Sequence, residues 1–217
     1  DEMLAQGITA FTVASVRDAD MEPLSQLSRE GVIRQHMRGC IVYTASGPEH
    51  EMGERLIAAR ASFATARFKP DCVKIFLDGV PTESHTGAML RPYADRSLRD
   101  VRPPQGLLMF EQGELNRAVA RFDAMGLSVK FHAAGDAAVR AALDAIAFVR
   151  RTNGAGGPVH VVGHSTFVDP ADIPRAAALG AAWEFSPYIW FPTPIAAVDI
   201  MKAVGPDRMQ RWMPVAD

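Results

Sequence analysis

The feature that most narrows the fold is a rhythm. Apolar, β-branched runs alternate with Ala- and Leu-rich segments of helical period along nearly the whole chain. "ITAFTVASV" (8–16), "RGCIVYTAS" (38–46), "CVKIFLDGV" (72–80), "LSVKFHAAG" (127–135), "PVHVVGHST" (158–166) and "AAWEFSPY" (181–188) read as strands. Between them, "MEPLSQLSREGVI", "EHEMGERLIAARASFA", "QGELNRAVARFDAMG", "DAAVRAALDAIAFVRRT" and "DPADIPRAAALG" read as helices. A strand–helix alternation of this kind predicts an α/β fold, a parallel sheet with helices packed outside it. The Pro- and Gly-bearing stretch from residue 80 to about residue 107 breaks the rhythm and reads as a long loop.

The strands have two unlike faces. In "VKIFLDG", Val73, Ile75 and Leu77 share one face, and Lys74, Phe76 and Asp78 share the other. Lys130 and His132 share a face of "VKFHAAG"; His160, Val162 and His164 share a face of "VHVVGHS". An open doubly wound sheet gives strands that are apolar on both sides. Ionisable groups recurring near the carboxyl ends of strands instead fit a (β/α) barrel, whose chemistry sits at that rim. Only about six strands are visible where a full TIM-type (β/α)8 barrel has about eight, so either two strands escape the pattern or the chain lacks them.

Lys74, His132 and His164 fall at comparable places on successive strands. Imidazoles on adjacent rims can share one cation. A lysine aimed into a barrel loses solvation, which favours the neutral amine. That amine can form a Schiff base, or take up carbon dioxide to become a carbamate able to bridge two cations. Plainer readings stand beside these. A histidine at a strand end can be a hydrogen-bonded core residue, and Lys74 can pair with Asp78 or another buried carboxylate. Asp136 reads as a helix N-cap, His160 as packing, and His36 and His50 as surface residues. His85, in the long loop, is a candidate substrate contact. Small residues open a helix at "HAAGDAA", but the G-x-G-x-x-G spacing of a dinucleotide site is absent.

Bulk properties exclude some classes. The chain has 217 residues, 48% of them hydrophobic, enough for one sizeable core. A net charge of −2 with mixed signs suggests no grip on nucleic acid or anionic lipid. No apolar run approaches the roughly 18 residues of a membrane span. Cys40 and Cys72 lack metal-type spacing and read as free thiols in a reducing compartment, though a single disulfide is compatible with two cysteines. The expected location is cytoplasmic.

Several stretches resemble the metal-dependent amidohydrolase superfamily, and most closely its amidohydrolase family 3, the YtcJ-like branch. "VKIFLDGVPTESHTGAMLRPY" (73–93) is similar to that family's strand-four segment, and "FHAAGDAAVRAALDAI" (131–146) to its strand-five motif. "GHSTFVDPADIPRAAALGA" (163–181), "FSPYIWF" and "GITAFTVASV" resemble strands six, seven and two. The resemblance implies a distorted barrel holding one or two divalent metals, usually zinc. It makes Lys74 a carboxylated bridging ligand and His132 and His164 ligands of the second metal. Asp78, like His85 in the loop after it, is a candidate substrate contact. The implied reaction is hydrolysis of an amide-like C–N bond in a small molecule by metal-activated hydroxide.

Departures from the pattern shape the expectation. No His-x-His pair precedes His36, and the chain reaches "WMPVAD" without the family's strand-eight Asp. The small β-sandwich domain is missing, and Gly163 stands where a Glu usually precedes the strand-six His. Residues 1–217 are therefore expected to be an incomplete hydrolase barrel domain, strands two to seven of a longer enzyme. Such a piece would be inactive alone, would hold metal weakly or not at all, and could pair with a second copy through its sheet edges. Two other functions compete: a Schiff-base lyase using Lys74 as nucleophile, and a non-catalytic α/β interaction domain with structural histidines.

Overall fold

The computed structural model describes residues 2–186 and 193–210. Six strands alternate with helices and are ordered β1-β2-β3-β4-β5-β6 by their hydrogen bonds. This is the α/β pattern of a partial TIM-type barrel, as the sequence rhythm predicts. Two compact units divide the chain, one formed by residues 1–75 and 126–130, the other by 76–125 and 131–217. Within the described residues, no helix is long and apolar enough to cross a membrane.

The first unit opens with a short helix α1 (Glu2–Ala5), then β1 (Ala10–Val16), α2 (Asp18–Arg29), β2 (His36–Tyr43), α3 (Pro48–Phe63) and β3 (Phe68–Phe76). β1 pairs with β2, and β2 with β3, all parallel. Helix α2 begins three residues before the apolar pattern suggests, because the Arg17 N–H donates to the Asp20 carboxylate at 2.8 Å. It ends at Arg29, ahead of Gly31 at φ 72°, so Val32 and Ile33 are not helical. Helix α3 starts on Pro48, which needs no N–H there. The core of this unit is built from Met37, Ile41, Val42, Leu56, Phe68, Val73 and Ile75, all buried.

The cysteines correct the free-thiol expectation. The parallel register sets Cys40 of β2 opposite Cys72 of β3, and the two are joined in a disulfide. Spacing along the chain does not reveal this pairing, since it arises only when the strands align. β3 also runs earlier than the predicted 72–80 and ends at Phe76. Asp78 and Gly79 thus lie beyond the ladder rather than on a strand face.

The second unit contains α4 (Gln112–Ala124), the end of β4 (Ser128–Ala133), α5 (Asp136–Thr152), β5 (Val161–His164), α6 (Ile173–Ala178) and β6 (Ala182–Phe185). A π-helical turn (Ile195–Ile200), α7 (Met201–Val204) and α8 (Pro206–Met209) follow, where the sequence pattern suggested no element. The last residues of the predicted strand 181–188 lie outside the described residues. Helix α5 is the predicted 136–152 segment. It buries Val139, Leu143, Ile146 and Val149 against a core that includes Leu115, Val119 and Phe122 of α4. Those three positions follow the i, i+4, i+7 spacing of an apolar helix face.

Asp136 is not the N-cap of α5. Gly135 holds that position, and the Asp136 carboxylate instead accepts the Leu90 N–H at 2.7 Å, fastening the long loop to the helix. The loop is fastened again at its far side. Met89 and Tyr93 pack with Phe167, Ile200, Ala203 and Val204 in a buried cluster. Arg208 donates to the Arg91 and Pro92 carbonyls at 3.0 and 2.6 Å. His160 is fully buried and hydrogen-bonded to Asp123 at 3.0 Å, in keeping with a structural role. Asp123 also accepts from Arg150 and Asn153.

Candidate metal centre

Asp78 organises the mouth of the second unit. It is 2% exposed, and its carboxylate accepts backbone N–H groups from Ala88 at 2.9 Å, Ala134 at 3.0 Å and Gly135 at 2.8 Å. One side chain thus ties the segment after β3, the long loop and the turn after β4. Burial pushes its carboxyl up to about 7, against the pull of those N–H donors. The geometry gives Asp78 the task of positioning its neighbours.

His132 is one of those neighbours. It lies on β4 between the fully buried Phe131 and Ala133. Its carbonyl accepts the Leu77 N–H at 3.0 Å, and its ring lies 5.5 Å from that of Phe76. Nε2 meets the Gly79 carbonyl oxygen at 2.9 Å. A carbonyl only accepts, so Nε2 is the donor in this bond. The Asp78 Oδ1 lies 3.7 Å from the same Nε2.

His164 closes β5 with φ at 69°, and Ser165 follows at 45°. Left-handed backbone costs a non-glycine residue about 1–3 kcal/mol and gathers at functional sites. The imidazole Nδ1 is hydrogen-bonded to the Ser186 hydroxyl at 2.8 Å. The rings of His132 and His164 stand with centroids 4.4 Å apart and planes tilted by 59°.

This pair suits a divalent cation as two nitrogen donors. Each ring is oriented through one nitrogen by a backbone carbonyl or a hydroxyl, the usual arrangement behind metal-bound histidine. Among the described residues, no group of three or more His, Cys, Asp or Glu side chains could hold a metal ion. Two imidazoles alone are fewer than the three protein ligands typical of a catalytic zinc.

The remaining predicted residues are placed as follows. Lys74 is buried on β3 in the first unit, 3% exposed and in register with Val42. His85 is also 3% exposed; it has φ 49° and its ring is stacked on Tyr93, centroids 4.5 Å apart. His36 is exposed at the start of β2. His50 is half-buried, bonded to the Thr44 carbonyl at 2.8 Å and packed on Tyr43. Sequence reasoning missed Ser186 and the Gly79 carbonyl. A serine beyond a strand end and a backbone oxygen carry no pattern of their own.

Gly163 has a local cause. A Cβ there would sit 2.7 Å from the Phe131 carbonyl oxygen, closer than real Cβ contacts allow. The approach of β5 to β4 therefore excludes a side chain at the position before His164.

A fold of alternating strands and helices with two oriented imidazoles near strand ends defines an α/β protein with a candidate metal site. Residues 1–215 match the model of the Amidohydrolase family, and the chain belongs to that family. No curated protein matches it. Among solved structures, an uncharacterized metal-dependent hydrolase from Pyrococcus furiosus is 21% identical with a TM-score of 0.73, over 97% of this chain and 40% of that one. One from Pyrococcus horikoshii OT3 is 24% identical with a TM-score of 0.72, over 98% of this chain and 39% of that one. The structure of A. niger ochratoxinase is 12% identical with a TM-score of 0.52, over 84% and 42%. These likenesses concern the fold. The chain spans about two-fifths of the length of the two Pyrococcus structures.

Proposed function

We propose that this chain forms part of a metal-dependent hydrolase acting on an amide-like C–N bond of a small molecule, with His132 and His164 as metal ligands. The observation that carries the reading is the pair of imidazoles 4.4 Å apart, each oriented through one nitrogen. His132 would donate through Nδ1, because Nε2 is committed to Gly79. His164 would donate through Nε2, because Nδ1 is bonded to Ser186. Imidazole donors suit zinc, as they suit copper, iron and nickel, and zinc is the ion of this proposal.

When bound, such a cation supplies Lewis acidity and lowers the pKa of coordinated water from about 15.7 to about 7. The chain's own residues orient the ligands and shape the mouth. Asp78 holds the backbone at Ala134 and Gly135, just past His132, and so fixes the direction of that ring. It would act on substrate through the loop it positions, and His85 would contact substrate directly. Membership of the YtcJ-like branch agrees with the "VKIFLDG" and "FHAAGD" segments.

The test is hydrolysis of a panel of small amides by the longest natural form of the protein, loaded with zinc. Activity lost to a chelator and restored by zinc supports the reading. Chelator-insensitive activity, or borohydride trapping of a carbonyl substrate on Lys74, would replace it with the Schiff-base lyase.

A further inference from the structure

The long loop contains a cavity of its own. It encloses about 190 Å³, lined by His85, Tyr93, Leu98, Arg96, Arg99 and Arg102 together with Asp95 and prolines. At about 30 Å³ per water, that is room for roughly six waters, or for one small organic molecule. Three solvent-exposed arginines and one aspartate line it, and Arg99 Nε lies 3.7 Å from the Asp100 carboxylate. The Asp95 carboxylate is already engaged by the Ser97 N–H at 2.9 Å and hydroxyl at 3.0 Å, with Lys202 Nζ 3.8 Å away.

A second feature belongs to a residue that lines the cavity. His85 Nε2 is buried and has no hydrogen-bond partner among the described residues; Asp95 Oδ2, at 3.7 Å, is beyond hydrogen-bond reach. Buried polar atoms are nearly always paired, and this one belongs to a residue that lines the cavity. The ring is held firmly in this position. It stacks on Tyr93 with planes 9° apart, and the Tyr93 hydroxyl donates to the Gly87 carbonyl at 2.7 Å. The backbone at His85 takes φ 49°, a conformation bulky residues rarely adopt.

We propose that this cavity binds a small organic anion, a carboxylate carried on an apolar or aromatic body. Guanidinium groups present paired N–H donors that match a carboxylate, and His85, Leu98 and Tyr93 line the same space. The inference rests on reading His85 as a ligand contact and needs no metal. The anion is either the charged portion of a substrate or a separate ligand, and the same chemistry recognises both.

The experiment is a titration of the metal-free protein with benzoate and with its uncharged analogue benzamide, followed by histidine ring signals in ¹H–¹⁵N NMR. Saturable benzoate binding that shifts the His85 signals, at least tenfold weaker benzamide binding, and at least fivefold weaker benzoate binding in R96Q/R102Q are expected. Concurrent shifts at His132 and His164 would mark a substrate's anionic portion; shifts at His85 alone would mark a separate ligand. Absence of saturation, equal affinity for benzamide, or unchanged affinity in R96Q/R102Q would overturn the proposal. Because metal is left out, failure of the metal centre would not affect the result, and zinc binding would survive failure of the anion site.

Discussion

His132 and His164 face each other with ring centroids 4.4 Å apart, and neither ring is left to rotate: Gly79 holds one and Ser186 the other. Oriented imidazoles at strand ends are what a metal centre requires before the metal arrives. Ser186 contributes to that orientation through a single hydrogen bond. The S186A variant should therefore keep the fold and bind zinc more weakly, by tenfold or more. Competition with a chromophoric chelator measures the change.

Asp78 is a test of the scaffold beneath the pair. In D78N an amide replaces the carboxylate, and its NH2 group faces backbone donors instead of accepting from them. At least one buried N–H then goes unpaired, at about 1–3 kcal/mol each. Chemical denaturation should show D78N less stable by that order, with the His132 ring signals displaced.

His160 sets a pH dependence away from the metal ligands. Burial holds its imidazole below the usual histidine range, although the bond to Asp123 pulls the other way. The unfolded chain therefore binds more protons than the folded one below about pH 6.5. This contribution to stability is present above that pH and is lost as pH falls through it, by at most about 1.4 kcal/mol per unit. Asp78, with its carboxyl pushed up to about 7, contributes the opposite sign over the same range, so the His160 part is read as a difference: between pH 7.5 and 5.5 the denaturation midpoint of the native protein should fall relative to that of H160Q.

The disulfide makes a prediction in the first unit. Cys40 and Cys72 are 32 residues apart, and closing a loop of that size removes denatured-state entropy worth about 3–4 kcal/mol. C40S/C72S should unfold at lower denaturant, and the native protein should show no free thiol when unfolded without reductant.

Gly163 predicts a steric cost. In G163A the new methyl group would meet the Phe131 carbonyl oxygen at 2.7 Å, and strands β4 and β5 would have to separate. Overpacking of this kind costs about 1–3 kcal/mol, read by thermal or chemical denaturation.

How much of this was legible in the sequence depends on where the information lies. Helix α5 was readable to its ends because its apolar spacing stops at a polar, Gly-flanked boundary. The six strands were visible because β-branched runs recur between helices. Bounds drifted where a hydrogen bond rather than a pattern set them, as at Arg17 and at the end of β3. Asp136 looked like a cap because an acidic residue opens the helix, but Leu90, 46 residues away, takes its carboxylate. The cysteine pair and the partners of His132 and His164 depend on strand register and on turns after the strands. Such contacts join residues far apart in the chain, and no local spacing encodes them.

The central claim is that His132 and His164 hold one divalent cation together. Equilibrium dialysis against zinc, with metal content measured on the native chain, H132Q, H164Q and the double variant, tests it directly. The account predicts saturable zinc on the native chain, a loss of tenfold or more in affinity for either single variant, and little further loss in the double variant. Zinc retained undiminished by the double variant, or no zinc bound by the native chain, would contradict it.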